Sequence, residues 1–286
     1  MKRMSDNPFP KRSAQLNYSW DCIGGRARET MTVSFDRIAD RYDTTRGYPD
    51  EVMKDILEAL ERTLDREKRI LDAGVGTGRF AKPLQDIGFD VIGIDISKRM
   101  LAKARGKGVE NLFRGDLCDL PFRDDTFGTT MSIHVLHLIS TWRCALVEIG
   151  RVTTDKFISV AFNKEESPAE ELRRSYDQAC AELGHTVRHP GLRERELPDL
   201  LEPDSASVIT LHEHPIDVQG MIDDFETRTY SSQWMVPEEI HEQAIEALRQ
   251  KYDGVQEIMG REKISLLVWD IDKVWEFASG PDPGMR

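Results

Sequence analysis

Residues 69–80, RILDAGVGTGRF, carry glycine at 74, 76 and 78 directly after a short apolar run and an aspartate. Glycine at the end of a first strand lets the backbone turn tightly, and lets a ligand approach without meeting a Cβ. The N–H groups that follow, at a helix start, can hold an anionic group. This strand–loop–helix signature narrows the fold to a doubly wound α/β sheet, provided that the flanking sequence alternates in the same way.

It does. EVMKDILEALERTL places Val52, Ile56, Leu57 and Leu60 at helical spacing. The apolar run at 69–73 reads as a buried strand, residues 77–88 as a helix ending at Gly88, and FDVIGID as a second strand. SKRMLAKARGKG follows as a helix, with Ser97 as its N-cap and Gly106 near its end. ENLFRGD and FGTTMSIHVL read as the third and fourth strands, TWRCALVEIGRV as a helix, and DKFISVAFN as the fifth strand. Strands alternating with helices of about 10–15 residues mean βαβ units and a parallel sheet covered on both faces.

The rhythm breaks after Asn163. Residues 168–184 have a helical pattern, 185–204 are rich in Pro, Arg and Glu, and 206–218 return to strand composition. An amphipathic helix (238–253) and a late strand at 263–271 follow. This divides the chain into a mobile N-terminal tail (1–31), a cofactor-binding core (32–164), a substrate lid with a late sheet strand (165–250), and a closing strand with a C-terminal tail (251–286).

The formal net charge of −12 makes nucleic acid a poor default partner, because an acidic protein repels a phosphate backbone. Cys22, Cys118, Cys144 and Cys180 are scattered without CxxC spacing, which points to free thiols in a reducing cytoplasm and away from a zinc site or disulfide framework. No apolar run approaches the ~20 residues that span a bilayer, so no membrane span is expected.

Which ligand the loop holds turns on its acidic neighbours. A dinucleotide site reads G-x-G-x-x-G, whereas this loop reads G-x-G-x-G with Asp72 two residues ahead of it. A carboxylate there repels pyrophosphate but accepts hydrogen bonds from an ammonium group. Asp95 ends the second strand 21 positions after Gly74, a distance at which an acid pairs with ribose hydroxyls. Asp116 ends the third strand, where a carboxylate suits the exocyclic amine of adenine, with Leu117 beside it. Three acids at three successive strand ends describe a cationic amino-acid nucleoside.

LDAGVGTGRF, GIDIS, GDLCDLPFRDDTF and the lead-in FDRIADRYD together resemble the class I S-adenosylmethionine-dependent methyltransferases, in the small-molecule branch similar to the ubiquinone/menaquinone-biosynthesis methyltransferases. The resemblance covers roughly residues 33–163. It implies a Rossmann-like, seven-stranded, mostly parallel sheet whose last strand is antiparallel, with an inserted helical lid. It implies S-adenosyl-L-methionine as cofactor and a small-molecule methyl acceptor. Carried onto this sequence, the cofactor-binding positions are Tyr42, Arg46, Asp72, Ala73, Gly74, Gly76, Gly78, Asp95, Ile96, Asp116, Leu117 and Ser132. Tyr42 and Arg46 lie in an N-terminal segment that closes over the cofactor in that family, although packing of an entry helix is the competing reading of Tyr42.

His134 and His137 follow the fourth strand and are the candidate proton acceptors there, against a purely structural role. His212 and His214 alternate along one strand face. With Glu213 they invite a metal reading, but spacing places no third ligand, and an exposed strand face is the simpler account. Arg193 and Arg195 read either as part of a solvated lid or as a carboxylate or phosphate clamp. Tyr230 and Trp234, in RTYSSQW, read as the wall of an acceptor pocket or as lid core. Two further classes compete with catalysis of methyl transfer: a non-catalytic cofactor-binding scaffold, and an NAD-dependent oxidoreductase, the latter disfavoured by the glycine spacing and Asp72.

Overall fold

The computed structural model describes Asp36, Ala39, Tyr42, Asp43 and residues 47–164 and 167–281. The tail at 1–31 and Arg46 lie outside the described residues.

The helix α1 (Asp50–Thr63) buries Val52, Ile56 and Leu60, one residue per turn along one stripe. β1 (Ile70–Ala73) is buried at every position, as a central parallel strand covered on both faces must be. Then come α2 (Ala81–Asp86), β2 (Val91–Asp95), α3 (Lys98–Gly106), β3 (Leu112–Arg114), β4 (Phe127–Met131), α4 (Trp142–Val152) and β5 (Thr153–Lys164). Ser97 caps α3 as the sequence implies, its hydroxyl accepting from the Met100 N–H at 3.1 Å.

β6 (Ser205–Asp217) and β7 (Glu257–Asp270) complete a seven-stranded sheet in the order β3-β2-β1-β4-β5-β7-β6. The first five strands run parallel, and β7 pairs antiparallel with both β5 and β6. This is the Rossmann-like arrangement that the motif order implies. Its switch point lies between β1 and β4, where connections leave in opposite directions and ligands bind at the carboxyl ends.

Several boundaries differ from the sequence reading. β4 stops at Met131 rather than running to 136: His134 takes φ +62°, which ends any strand, and Leu136–Leu138 form a 3-10 turn. The glycine loop holds its irregular path longer than the pattern indicates, so α2 starts at Ala81 and not at 77. The closing segment is a strand followed by a helix, α9 (Ile271–Ser279). Asp270 caps it by accepting from the Asp272 N–H at 2.9 Å, and Ile271, Val274 and Ala278 face inward at helical spacing.

Three further helices, α5 (Pro168–Glu182), α7 (Val218–Glu226) and α8 (Glu238–Lys251), pack around their own apolar cluster of Leu172, Tyr176, Val218, Ile222, Phe225 and Leu248. A short helix, α6 (Leu197–Leu200), sets Leu197 into the core under the sheet. Among the described residues no helix is long and apolar enough to cross a membrane.

Candidate functional site

The loop after β1 is held from both sides. Gly74 and Val75 donate to the Ile94 carbonyl at 2.8 and 2.9 Å, and Gly76 donates to Asp95 Oδ2 at 2.9 Å. Asp95 Oδ1 accepts from the Ser97 N–H at 2.7 Å, so one carboxylate ties the glycine loop to the start of α3. Burial raises the Asp95 carboxyl above its ordinary range, and these backbone donors partly offset that.

The three glycines have different causes. A Cβ on Gly74 would run into the Val135 methyls, and one on Gly78 into Val109. Their bareness is required by the protein's own packing as well as by their φ of +89° and +76°. Only Gly76 faces open space, where the nearest atoms to an added Cβ are the Gly74 carbonyl at 3.9 Å and Met100 Cε at 4.0 Å. The close ligand approach inferred for the whole loop therefore falls on Gly76.

A narrow cleft at the strand ends is bordered by Gly74, Gly76, Asp95, Ile96, Asp116 and Leu117, with Tyr42 and His134 at its mouth. Asp116 Oδ1 accepts from the Cys118 N–H at 2.9 Å, which fixes the turn that presents Leu117. Asp72, Ala73, Gly78 and Ser132 do not border this cleft and are buried. Ser132, a cofactor-binding position by the resemblance, has no exposure, and its Oγ has no hydrogen-bond partner among the described residues. Asp72 is 3% exposed, with Oδ2 buried and without a hydrogen-bond partner among the described residues. Burial, followed by the charge of Asp95, pushes its carboxyl up to about 8.

Tyr42 and His134 also border a second, larger cleft of about 800 Å³, within the range of ~300–1,000 Å³ usual for small-molecule sites. It lies between the ends of β4 and β5 and the α5 and α7 layer. His134 rests on Phe162 with ring centroids 4.4 Å apart, and its Nε2 meets the Tyr48 hydroxyl at 3.1 Å. His137 borders the same cleft, with Nδ1 3.5 Å from Glu194 Oε2. Glu194 is 5% exposed, and its other oxygen accepts from the N–H groups of Val135 and Leu136. Burial alone would raise the Glu194 carboxyl, but the hydrogen bond and charge of His137, with His134, outweigh it and bring it to about 2. His189 meets His137 edge-on at 5.2 Å, and burial with the charge of His137 pushes it down to about 4.

The lid residues sort differently from their sequence reading. Tyr230 borders the larger cleft under the Arg173 guanidinium, 4.6 Å from its ring centroid. Trp234 does not; its indole N–H donates to the Arg228 carbonyl at 2.7 Å and closes the turn before α8. Arg193 and Arg195 both border the cleft, with Arg193 held by Glu196. His212 and His214 stack at 4.6 Å and face the cleft, which corrects the exposed-face reading. Glu213 points the other way, to Arg261 at 2.6 Å, so it cannot join them. Among the described residues no group of three or more His, Cys, Asp or Glu could hold a metal ion.

Glu194, Arg79 and Tyr48 are the site residues that sequence reasoning missed. Glu194 sits between two arginines in LRERE and looks like solvated surface. Arg79 carried one usable signal, its position directly after the loop.

Residues 71–156 match the methyltransferase domain family. Over that segment the chain is similar to the class I S-adenosylmethionine-dependent methyltransferases, and the sheet order agrees with the match. It is 37% identical over 120 residues to an uncharacterized protein of Methanocaldococcus jannaschii, covering 41% of this chain and 55% of that one. It is 28% identical over 131 residues to the demethylmenaquinone methyltransferase of Renibacterium salmoninarum, covering 44% of this chain and 54% of that enzyme. The chain thus spans about half the length of these relatives. In fold it is similar to the YcgJ protein from Bacillus subtilis, with a TM-score of 0.50 and 21% identity over 77% of this chain and 99% of that one.

Proposed function

We propose that the protein transfers a methyl group from S-adenosyl-L-methionine to a small molecule held in the larger cleft. The observation that carries this reading is the junction of the two clefts: a narrow one edged by Gly76, Asp95 and Asp116 meets the larger one at Tyr42 and His134. A nucleoside in the first would present its reactive end to an acceptor in the second.

The residues present fit such a cofactor. Asp95 has carboxylate lone pairs beyond those used by Gly76 and Ser97, suited to ribose hydroxyls. Asp116 and Leu117 suit the adenine edge and face, and Ile96 gives an apolar wall. Asp72 Oδ2, without a hydrogen-bond partner among the described residues, suits an ammonium group, and Ala73, Gly78 and Ser132 are buried supports of the loop. When bound, the cofactor supplies a methyl carbon already activated by a sulfonium.

The chain's own part is to align the acceptor, exclude water and take a proton. His137 is the better-built proton acceptor, because Glu194 fixes its Nδ1 side and leaves Nε2 for the cleft. His134, tied to Tyr48, orders the junction. Residues 165–250 form the lid that chooses the acceptor, with Tyr230 in its wall; residues 32–164 form the cofactor core.

Calorimetry with S-adenosylhomocysteine and with NAD tests the reading. Binding of the first and none of the second is expected. Micromolar NAD affinity with no binding of S-adenosylhomocysteine would overturn it.

A further inference from the structure

The 3-10 turn Glu194–Glu196 carries two neighbouring charges with different fates. Glu194 is met by donors from Val135 and Leu136 and by His137. Arg195, the next residue, borders the larger cleft and is half-buried, yet makes no hydrogen bond or ion pair with another described residue. Burial, followed by repulsion from the Arg193 guanidinium, holds it below the ordinary arginine range. It remains charged nonetheless, because a guanidinium does not give up its proton at any pH a protein meets.

A charge drawn part-way out of water is costly unless something nearby matches it. The acids at this end of the cleft are already taken. Glu196 accepts from Arg193 Nε at 2.7 Å and from the Arg193 backbone N–H at 3.1 Å. Glu170, 9% exposed, stands 3.7 Å from Arg173 Nε on the same helix, α5. Asp177 is exposed to solvent, which screens it, and feels Arg173 and Arg193. Arg173, Arg193 and Arg195 therefore face two buried or bonded carboxylates, and Arg195 is the guanidinium left over. A surplus cation lining a cleft, in a chain of formal net charge −12, marks a place for an anion brought from outside.

We propose that the methyl acceptor is an organic anion, and that Arg195 receives its carboxylate or phosphate through the parallel N–H pair of the guanidinium. Phe162, Met221 and Tyr230 border the same cleft and offer its body an apolar wall. Glu194, bonded to Arg195 through one peptide, sets the face of His137, so an anion held at Arg195 fixes the acceptor's distance from its proton acceptor. The inference rests on the reading of the larger cleft as the acceptor's, and adds the chemical class of what it takes.

The test is calorimetry on the full chain saturated with S-adenosylhomocysteine, using benzoate, phenyl phosphate and the neutral benzamide as probes. At least one anion is expected to bind about 10-fold or more tightly than benzamide, and which one does so tells carboxylate from phosphate. Arg195→Met keeps an apolar stem and is expected to weaken that anion by about 10- to 100-fold. Arg261→Gln removes a cleft cation already paired with Glu213 at 2.6 Å, and is expected to leave the anion's affinity unchanged. Since Arg195 is unmatched in the free protein, Arg195→Met should melt no lower than the unaltered chain without probes. Benzamide binding as well as the anions, no anion binding, equal losses in both variants, or a clear drop in the melting temperature of Arg195→Met overturns the proposal. S-adenosylhomocysteine is titrated alone first. Its failure to bind removes the cofactor reading, and the same anion titrations without it still decide whether Arg195 holds an anion.

Discussion

Glu194 reaches across 58 positions of sequence to accept a hydrogen bond from the Leu136 N–H at 3.1 Å, and the same carboxylate stands 3.5 Å from His137 Nδ1. It therefore does two jobs at once. It satisfies the N–H groups that open the 3-10 turn after β4, and it sets the face that His137 turns to the cleft. An ionised carboxylate survives there because every direction it faces holds a donor.

Removing it should be expensive. Glu194→Ala leaves two backbone N–H groups and an imidazole without their acceptor, and is expected to destabilise the fold by about 3–5 kcal/mol in urea denaturation at neutral pH. Glu194→Gln keeps an acceptor and should cost less. The carboxyl is lowered to about 2 when folded against an ordinary 4.5, so its contribution is fully present above pH 4.5 and is lost as pH falls toward 2. The stability gap between the native protein and Glu194→Gln should narrow over that window. A constant gap would show that the charge of Glu194 contributes nothing.

Asp72 has the opposite sign. Its carboxyl is raised from 3.8 to about 8 by burial and by Asp95, so the folded chain keeps a proton that the unfolded chain releases. Stability is expected to fall as pH rises from about 4 to 8, and Asp72→Asn should flatten that slope and raise the ligand-free melting temperature near pH 8. An ammonium group brought beside Asp72 would favour its ionised form. Binding of S-adenosylhomocysteine at pH 6–7 is therefore expected to release protons, seen as a dependence of the binding heat on the buffer's ionisation enthalpy. Asp72→Asn should abolish this release.

Asp95 combines ligand and scaffold. Asp95→Ala would remove both carboxylate bonds to the loop and α3, at 2.9 and 2.7 Å, along with those offered to a ribose. Each charge-assisted bond of this kind is worth about 1.5–3 kcal/mol. Loss of both affinity for S-adenosylhomocysteine and thermal stability is expected. An unchanged dissociation constant in a folded variant would take Asp95 out of the site.

How much of this was legible depended on whether a residue's partner is near in sequence. The strand–loop–helix unit from Ile70 to Asp86 and the Ser97 cap are local, and periodicity with glycine spacing exposed them. The acids Asp95 and Asp116 were legible because strand ends converge at one edge in a parallel sheet. The role of Glu194 was not, because its partners Val135, Leu136 and His137 lie more than 50 positions away. The end of β4 was missed for a related reason: MSIHVL has the composition of a strand, and tertiary contacts set His134 at φ +62°. RTYSSQW leaves Trp234 open between pocket wall and lid core, and only the packing that brings its N–H to the Arg228 carbonyl decides for the second.

Gly78 separates packing from ligand binding within the loop. Its φ of +76° penalises any side chain by about 1–2 kcal/mol, and a Cβ there would collide with the Val109 Cγ2 methyl. Overpacking of this kind costs a further ~1–3 kcal/mol when the neighbour cannot move. Val109 is 5% exposed and sits in the core between α2 and α3, so it has little room to give. Gly78→Ala should therefore lower stability by both amounts. Val109→Ala removes the clashing methyl, so the double variant should be more stable than the sum of the two single losses implies. The backbone strain remains in the double variant, so recovery should be partial. Because Gly78 does not border the narrow cleft, affinity for S-adenosylhomocysteine should return with the packing. Additive losses in a thermodynamic cycle of the four proteins would show that Val109 is not what excludes a side chain at position 78.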